Sequence, residues 1–277
     1  MESIYMSENP IHTDHHMGIA PLSILPIHAL KDNYIWMIIN PHSKQALVVD
    51  PGEAAPVQTY FKQHKLTLTA ILITHHHWDH TNGIAKLRSQ YDVPVFGPAK
   101  EKVMQLTNPL QEGEEILFDS HKLVFQILDI PGHTLGHIAY YSQGSLFCGD
   151  TLFAAGCGKL FEGTAKQMYA SLQKIALLPD ETKIYCAHEY TLNNLRFAET
   201  IEPENKIITD RIKQVSELRK KGLPSLPSTL REEKLTNPFL RCDSPELISN
   251  VEKYAGQRLT QAVEVFTWLR KRKDGFR

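Results

Sequence analysis

Thr74-His75-His76-His77-Trp78-Asp79-His80 is the stretch of this sequence that decides the fold. It places four good metal ligands within six residues, namely His75, His77, Asp79 and His80. Buried ring nitrogens and carboxylates cost free energy unless something pairs with them. Such a dense cluster of ligands therefore indicates a binding site for one or two metal ions. The apolar run directly before it, residues 70–73, indicates a buried strand. A rigid strand followed by a ligand loop is a stable way to hold a metal site.

Three further candidate ligands, His133, Asp150 and His188, each follow an apolar run downstream. A single histidine at a strand end is more often a satisfied polar residue than a ligand. Together with the cluster, however, they make five histidines and two aspartates, enough for two metals that share a carboxylate. Imidazole and carboxylate without thiolate disfavour a structural zinc site and suit zinc, iron or manganese, of which we favour zinc.

Composition and charge narrow the class of protein. The 277 residues suffice for one large domain or two, and a net charge of −1 gives no general attraction to nucleic acid or to an anionic membrane. No run reaches the roughly 18 apolar residues of a membrane span. The four cysteines are widely spaced, without a Cys-x-x-Cys pair, which argues against a disulfide framework and suits a reducing cytosol. We therefore expect a cytoplasmic protein, and we expect it to be a monomer.

The first twenty residues are rich in histidine (His12, His15 and His16) and lack the basic start and apolar centre of a signal peptide. We interpret residues 1–20 as a flexible extension rather than as a second metal site. Met17 is an alternative native start, because strand-like sequence begins only after it.

Strand-like and helix-like segments alternate from Ile24 to about residue 190. The predicted strands are residues 34–39, 46–49, 70–73, 93–96, 123–130, 138–142, 146–148 and 183–187, and the predicted helices include 57–64 and 84–91. Thr164 and Gln167 form a capping box that predicts the start of another helix. After His188 only helices are predicted, at 192–200, 207–221 and 262–273. We therefore predict a mixed α/β metal-binding domain over residues 21–190 and a smaller helical, substrate-binding domain over residues 191–277.

Several strings carry a resemblance to a known family. T-H-x-H-x-D-H, P-G-H-T-x-G-H, G-D-T and A-H-E resemble the metallo-β-lactamase superfamily, which implies an α/β fold, an αββα sandwich with its site at one sheet edge. Other strings are similar to the hydroxyacylglutathione hydrolase (glyoxalase II) family. They are Asp32-Asn33-Tyr34, Ala155-Gly156-Cys157-Gly158-Lys159, Phe161-Glu162-Gly163-Thr164, Cys186-Ala187-His188-Glu189-Tyr190-Thr191, Asn193-Asn194, Asn237-Pro238-Phe239-Leu240-Arg241 and the ending Arg270-x-x-Lys273-Asp274-x-Phe276. The resemblance covers the chain from about residue 22 onward.

The resemblance implies a role for each candidate residue. It implies one metal on His75, His77 and His133, a second on Asp79, His80 and His188, and a bridging Asp150, with Asp79 and Asp150 as catalytic residues. It implies substrate contacts from Lys159, Phe161, Tyr190, Arg270 and Lys273; Phe161 stands where some family members have tyrosine. We interpret His76 as a packing or hydrogen-bonding residue and His137 as a support of the ligands. We interpret Asp50 as either a structural residue or a support of the ligands, and Cys157 as a small loop residue rather than a nucleophile.

The implied reaction is hydrolysis of S-D-lactoylglutathione and related glutathione thioesters to D-lactate and glutathione, in methylglyoxal detoxification. Two metals would lower the pKa of water and supply a bridging hydroxide. A thiol has a pKa of only about 8.5, so its thiolate leaves without a strong general acid. Arg270 and Lys273 could be a solvated basic helix end, but their spacing of three puts them on one helical face, where the resemblance places the substrate.

Three other functions are compatible with parts of this sequence. A single-iron glutathione persulfide dioxygenase is disfavoured by the complete second ligand set and the long helical C-terminal part. A nucleic-acid hydrolase would need a basic groove or domain, which the near-zero net charge disfavours. A binding protein without activity is disfavoured by the intact ligand set.

Overall fold

The computed structural model describes residues 22–276, and its first half is built on a six-stranded sheet. The strands lie side by side in chain order and are β1 (Ser23–Ala29), β2 (Asn33–Asn40), β3 (Gln45–Val49), β4 (Thr67–Leu72), β5 (Val95–Pro98) and β6 (Asn108–Leu110). Pairing is antiparallel from β1 to β3 and parallel from β3 to β6. The parallel connections contain α1 (Ala54–His64), α2 (Trp78–Thr81) and α3 (Ile84–Arg88). Parallel strands need such crossovers.

A second sheet, also of six strands, faces the first. Its strands are β7 (Glu115–Phe118), β8 (Leu123–Asp129), β9 (Ile138–Ser142), β10 (Ser145–Gly149), β13 (Lys183–Cys186) and β14 (Ser228–Thr229), in the spatial order β14, β13, β10, β9, β8, β7. Between β10 and β13 in the chain, β11 (Leu152–Phe153) and β12 (Gly156–Cys157) form a small antiparallel hairpin.

Strand β2 is buried on both faces, which explains the layering. Side chains alternate along a strand, so Trp36 belongs to the apolar cluster shared with the second sheet, whereas Ile35 and Met37 pack with side chains of α1 and α3. The Trp36 ring meets the Tyr185 ring of β13 at 4.9 Å between centroids. Helix, sheet and sheet therefore stack as the αββα prediction requires.

The remaining helices are α4 (Ala165–Ala176), α5 (Thr191–Ile201), α6 (Lys206–Lys220), α7 (Leu230–Thr236), α8 (Pro245–Ala255) and α9 (Ala262–Asp274). They join the apolar cluster of the second sheet, except α6, whose buried Ile208 and Val215 belong to a smaller cluster with residues of α5. Helix α4 begins at the predicted capping box, with Gln167 N donating to Thr164 Oγ1 at 3.2 Å and Thr164 N donating to Gln167 Oε1 at 2.9 Å. Among residues 22–276, no helix has the length and apolar character needed to cross a membrane.

The prediction that no strand follows His188 is wrong. Strand β14 pairs antiparallel with β13, Lys183 opposite Thr229 and Ile184 opposite Ser228. A strand of two residues shows no alternation of polar and apolar side chains, so its sequence carries no periodic signal. Helices α7 and α8 also lie outside the predicted helices. The domain boundary near residue 190 stays a prediction, and the proposed extension at residues 1–20 lies outside the described residues.

Candidate metal centre and active site

The ligand loop begins at the carboxyl end of β4, next to the end of β3. Asp50, just after β3, accepts hydrogen bonds from Thr74 N at 2.8 Å and Thr74 Oγ1 at 2.7 Å, and its Oδ2 lies 3.1 Å from His80 Nδ1. The neighbouring Gly52 must lack a side chain, because a Cβ there would lie 1.7 Å from the Asp79 carbonyl oxygen. Asp50 thus fixes the loop and orients His80, as its interpretation as a supporting residue requires.

His75, His77 and His133 form a first group of candidate ligands. His77 Nδ1 lies 3.1 Å from His75 Nε2 and 3.0 Å from His133 Nε2. The other nitrogen of His133, Nδ1, donates to the Lys159 carbonyl oxygen at 2.8 Å. One nitrogen of each ring thus points toward a common position, and the second nitrogen of His133 is held by a backbone oxygen. Histidines that bind a metal ion are typically arranged in this way.

Asp79, His80 and His188 form the second group. Asp79 Oδ2 lies 3.6 Å from His80 Nε2 and 3.5 Å from His188 Nε2. Asp150 lies between the two groups, because its Oδ1 is 3.5 Å from His80 Nε2 and 3.4 Å from His188 Nε2, while its Oδ2 is 3.4 Å from His133 Nε2. The structure therefore brings all seven sequence-predicted ligands together and turns one Asp150 oxygen toward each group.

Unpartnered buried atoms show that this arrangement fits metal ions. His80 Nε2 and Asp150 Oδ1 are buried without a hydrogen-bond partner among the described residues. A buried polar atom left unsatisfied costs about 1–3 kcal/mol. Because both atoms face the second group, a cation held there would satisfy both of them, and the nitrogen and oxygen donors suit zinc, iron or manganese.

The two groups differ in their electrostatics. Burial lowers the pKa of His75 well below its ordinary value and also lowers the pKa of His77 and of His133, which favours the neutral imidazole that binds metal. Burial disfavours charge on His80 and His188 as well, but the Asp150 carboxylate outweighs it and raises the pKa of both, that of His188 to about 9. The Asp150 carboxylate therefore makes the electrostatic potential at His80 and His188 more negative than that at the first group.

His76 and His137 both make hydrogen bonds beside the candidate ligands. His76 Nδ1 lies 2.8 Å from Glu101 Oε2, which also accepts from His76 N at 2.6 Å. His137 stacks on the His75 ring at 4.6 Å between centroids, and its Nε2 accepts a hydrogen bond from Asp150 N at 3.2 Å. His137 thus holds the backbone of the residue that lies between the two groups.

No role was predicted from the sequence for Asp32 and Asn33, whose side chains hydrogen-bond to ligands of the second group. Asp32 Oδ1 lies 2.9 Å from His188 Nδ1, and Asn33 Nδ2 donates to Asp79 Oδ2 at 3.2 Å. A bridge between Asn33 and His188 and a hydrogen bond from Tyr34 N to Ala187 O at 2.7 Å bring these segments together. Their signals in the sequence were the family string Asp32-Asn33-Tyr34 and the position of a polar pair at the start of a strand.

Three of the predicted substrate residues lie at the candidate site. The cavity over the two groups is lined by His77, Trp78, Asp79, His133, Asp150, Phe161, His188 and Tyr190. Phe161 is 61% exposed, and Lys159 Nζ lies 5.4 Å from the centre of its ring. Tyr190 stacks on His188 at 4.7 Å between centroids.

Arg270 and Lys273 lie on α9 and do not line that cavity. Arg270 is 7% exposed; its Nη1 donates to the Cys157 carbonyl oxygen at 2.7 Å and its Nη2 to Asp274 Oδ1 at 3.0 Å. Lys273 Nζ lies 5.3 Å from the ring centre of Phe197. Burial raises the pKa of the Cys157 thiol to about 11, which suits a loop residue rather than a nucleophile.

The fold and the paired ligand groups define a metallo-beta-lactamase superfamily protein, and residues 31–188 match the model of that superfamily. Residues 189–276 match the model described as hydroxyacylglutathione hydrolase C-terminus. The chain belongs to the hydroxyacylglutathione hydrolase family, which confirms the resemblance drawn from its sequence strings.

Individual relatives agree with this assignment. The hydroxyacylglutathione hydrolase of Nitrosomonas europaea is 52% identical over 257 residues, which cover 92% of this chain and 97% of the relative. Among solved structures, ETHE1 from Myxococcus xanthus superposes with a TM-score of 0.61 at 24% identity, over 92% of this chain and 99% of that one, and shows the fold alone. TTHA1623, solved in a di-iron-bound form, has a TM-score of 0.56 at 25% identity, over 78% of this chain and 100% of that one.

Proposed function

We propose that this chain hydrolyses S-D-lactoylglutathione and related glutathione thioesters to D-lactate and glutathione, the last step of methylglyoxal detoxification. The observation that carries the proposal is the Asp150 carboxylate between two ligand groups, 3.4 Å from His133 Nε2 on one side and from His188 Nε2 on the other. The names of the relatives supply the substrate class.

The two groups are proposed to hold two divalent ions, His75, His77 and His133 the first and Asp79, His80 and His188 the second, with Asp150 shared. When bound, the ions would supply a water of lowered pKa as nucleophile and polarise the thioester carbonyl. We propose zinc in both positions; iron and manganese accept the same ligands, and availability decides among such metals.

Neighbouring side chains of the protein orient the three ligands of the second group. Asn33 holds the Asp79 carboxylate, Asp32 holds the His188 ring and Asp50 holds the His80 ring. Each bond fixes the orientation of a side chain of the second group, so less reorganisation is needed when the substrate binds. A leaving thiolate needs no proton from the protein, because a thiol has a pKa of only about 8.5.

Lys159, Phe161, Tyr190, Arg270 and Lys273 are proposed to bind the glutathione part. Glutathione carries two carboxylates, for which fixed cations are the natural partners. Lys159 projects beside the exposed Phe161 ring, and Tyr190 presents a hydroxyl next to the second group. The pKa of Lys273 is lowered to about 8 by burial and by the nearby Arg270. Two neighbouring cations with such a perturbed pKa are expected where a protein binds an anion.

The proposed reaction is tested by mixing S-D-lactoylglutathione with purified protein that carries two equivalents of zinc. The loss of thioester absorbance measures the rate of hydrolysis. We expect turnover, with D-lactate and free thiol appearing in equal amounts. A thioester of coenzyme A is the control substrate and should react far more slowly, because it lacks the glutathione carboxylates. Absence of turnover of every glutathione thioester by protein with two metals bound would refute the proposal.

Substrate affinity should fall as the pH rises through about 8. Lys273 has its pKa lowered to about 8, so it is a cation below that pH and neutral above it, where it no longer pairs with a carboxylate. Lys273→Arg should keep a low KM up to pH 9, and Lys273→Ala should raise KM about tenfold at pH 7, which corresponds to about 1.4 kcal/mol, with little change in kcat.

Lys271→Ala is the matched control for that series. Lys271 is on the same helix, but its ammonium lies 5.3 Å from the centre of the Trp268 ring, so KM should stay at the wild-type value. Identical KM profiles against pH for wild type, Lys273→Arg and Lys273→Ala would remove Lys273 from the substrate site.

We also propose that the protein works as a monomer in the cytoplasm. All four cysteines are buried and unpaired, which suits a reducing compartment. Size-exclusion chromatography with light scattering tests the oligomeric state, and a mass near twice 31.5 kDa would contradict it.

A further inference from the structure

The hairpin of β11 and β12 is held from behind by side chains of the helical region. Asn237 Nδ2 donates to Phe153 O at 3.1 Å and to Gly156 O at 2.9 Å, and Asn194 Nδ2 donates to Ala154 O at 3.1 Å. Ala155 N donates to Glu233 Oε2 at 2.6 Å. Each residue from 153 to 156 thus has a backbone polar group bonded to one of three side chains, Asn194, Glu233 and Asn237, which we call the hairpin clamp.

Glu233 is the centre of the hairpin clamp. It has 0% exposure, its Oε1 accepts from Arg211 Nη2 at 2.7 Å and its Oε2 accepts from Asn237 Nδ2 at 3.0 Å. A buried carboxylate is tolerated only when it is paired and fully hydrogen-bonded. Glu233 also holds Ala155 in a left-handed conformation, with φ of +54°, which a residue other than glycine adopts at a cost.

The hairpin leads directly to the first ligand group. Two residues after Cys157, the carbonyl oxygen of Lys159 accepts the hydrogen bond from His133 Nδ1 at 2.8 Å. The intervening Gly158 is pressed against the site, since a Cβ there would lie 1.9 Å from the Asp150 carbonyl oxygen and 3.2 Å from His133 Nδ1. These contacts connect the position of the hairpin with the orientation of the His133 ring.

We propose that Glu233, with Asn194 and Asn237, is a positioning residue through which the helical region sets the affinity of the first metal position. The inference rests on the proposed function in one respect, that His75, His77 and His133 hold a metal ion. Partners that orient a metal-bound histidine typically change metal affinity about 10–100-fold when they are removed. The hairpin clamp acts one step further out, through the Lys159 carbonyl, so the lower end of that range applies.

The test compares Glu233→Gln with Glu202→Gln. Glu202 is also buried, at 1% exposure, and also paired with an arginine, Arg241 Nη2 at 2.7 Å, but none of its hydrogen bonds reaches the hairpin. Metal-free protein of each variant is titrated with Zn²⁺ by calorimetry, and the Tm of each is measured. Both substitutions should lower Tm, whereas only Glu233→Gln should weaken one of the two zinc-binding steps, about tenfold, and leave the other at its wild-type value.

Equal zinc affinities in Glu233→Gln, Glu202→Gln and wild type would overturn the inference. Should Glu233→Gln not fold, Asn194→Ala decides the matter by the same comparison, because it removes only the bond to the Ala154 carbonyl. The readout is independent of catalysis. A protein that binds zinc as described but hydrolyses no glutathione thioester would refute the proposed function and leave the role of the hairpin clamp standing.

Discussion

Replacing Asp150 with alanine is expected to abolish thioester hydrolysis and to reduce zinc binding from two ions to one. Asp150 turns Oδ1 toward His80 and His188, at 3.5 and 3.4 Å, and Oδ2 toward His133, at 3.4 Å. The other candidate carboxylate ligand, Asp79, contacts His80 and His188 of its own group. The loss of a single preorganised electrostatic contact can cost 10²–10³-fold in kcat. Because Asp150 serves both groups, we expect a loss of more than about 10³-fold.

Three measurements decide this prediction: zinc per chain by elemental analysis, kcat with S-D-lactoylglutathione, and Tm. Asp150→Asn keeps the shape of the side chain and removes its charge, so it separates packing from charge. Asp180→Ala is the control, because it removes an aspartate from an exposed ion pair with Lys234 at 2.6 Å and should leave zinc content and kcat unchanged. Full activity with two zinc ions bound in Asp150→Ala would show that the bridging role is wrong.

Removing the metal ions from the wild-type protein should lower Tm strongly as well as end activity. A ligand that binds only the folded state at about 1,000 times its Kd stabilises that state by about 4 kcal/mol. For a chain of this length 1 kcal/mol corresponds to about 2–4 °C in Tm, so one zinc position accounts for a shift on the order of 10 °C. The physical reason is the set of buried donors, including His80 Nε2 and Asp150 Oδ1, that lack protein partners.

The measurement is a thermal melt of chelator-treated protein, repeated as Zn²⁺ is restored in steps. Tm should rise with free Zn²⁺ and activity should return with it. Asp150→Ala is the control here, since with one position lost its zinc-dependent rise in Tm should be smaller than that of the wild type. An unchanged Tm and full activity after complete removal of metal would contradict both the metal assignment and the proposed chemistry.

The seven candidate ligands could be identified from the sequence because their signal is local. His75, His77, Asp79 and His80 are crowded into six residues, and each later ligand follows an apolar run that ends at the sheet edge. The strand at residues 34–39 and the capping box of α4 were predictable for the same reason, since a strand or a helix start is encoded by residues a few positions apart.

The residues that orient those ligands were decided by the tertiary structure. Asp32 bonds to His188 across 156 positions of sequence, and Ala155 N bonds to Glu233 across 78. No spacing or periodicity reports a hydrogen bond between segments so far apart, because its geometry depends on how the two sheets and the helices pack. Strand β14 also depends on a distant segment, because it forms only by pairing with β13. Its two residues are too few to show a sequence pattern.

Arg270 shows most clearly the difference between what a sequence pattern predicts and what the tertiary structure decides. Its position in the ending Arg270-x-x-Lys273-Asp274-x-Phe276 predicts a contact with the substrate, whereas the structure also commits its guanidinium to the Cys157 carbonyl and to Asp274. The sequence by itself determined the candidate ligands, because they follow from local patterns of polar and apolar residues, and it determined the superfamily and the layered fold through the family strings that it carries. Only the tertiary structure decided which distant side chains hold each ligand in place, because a buried polar group must find its partner wherever packing brings one.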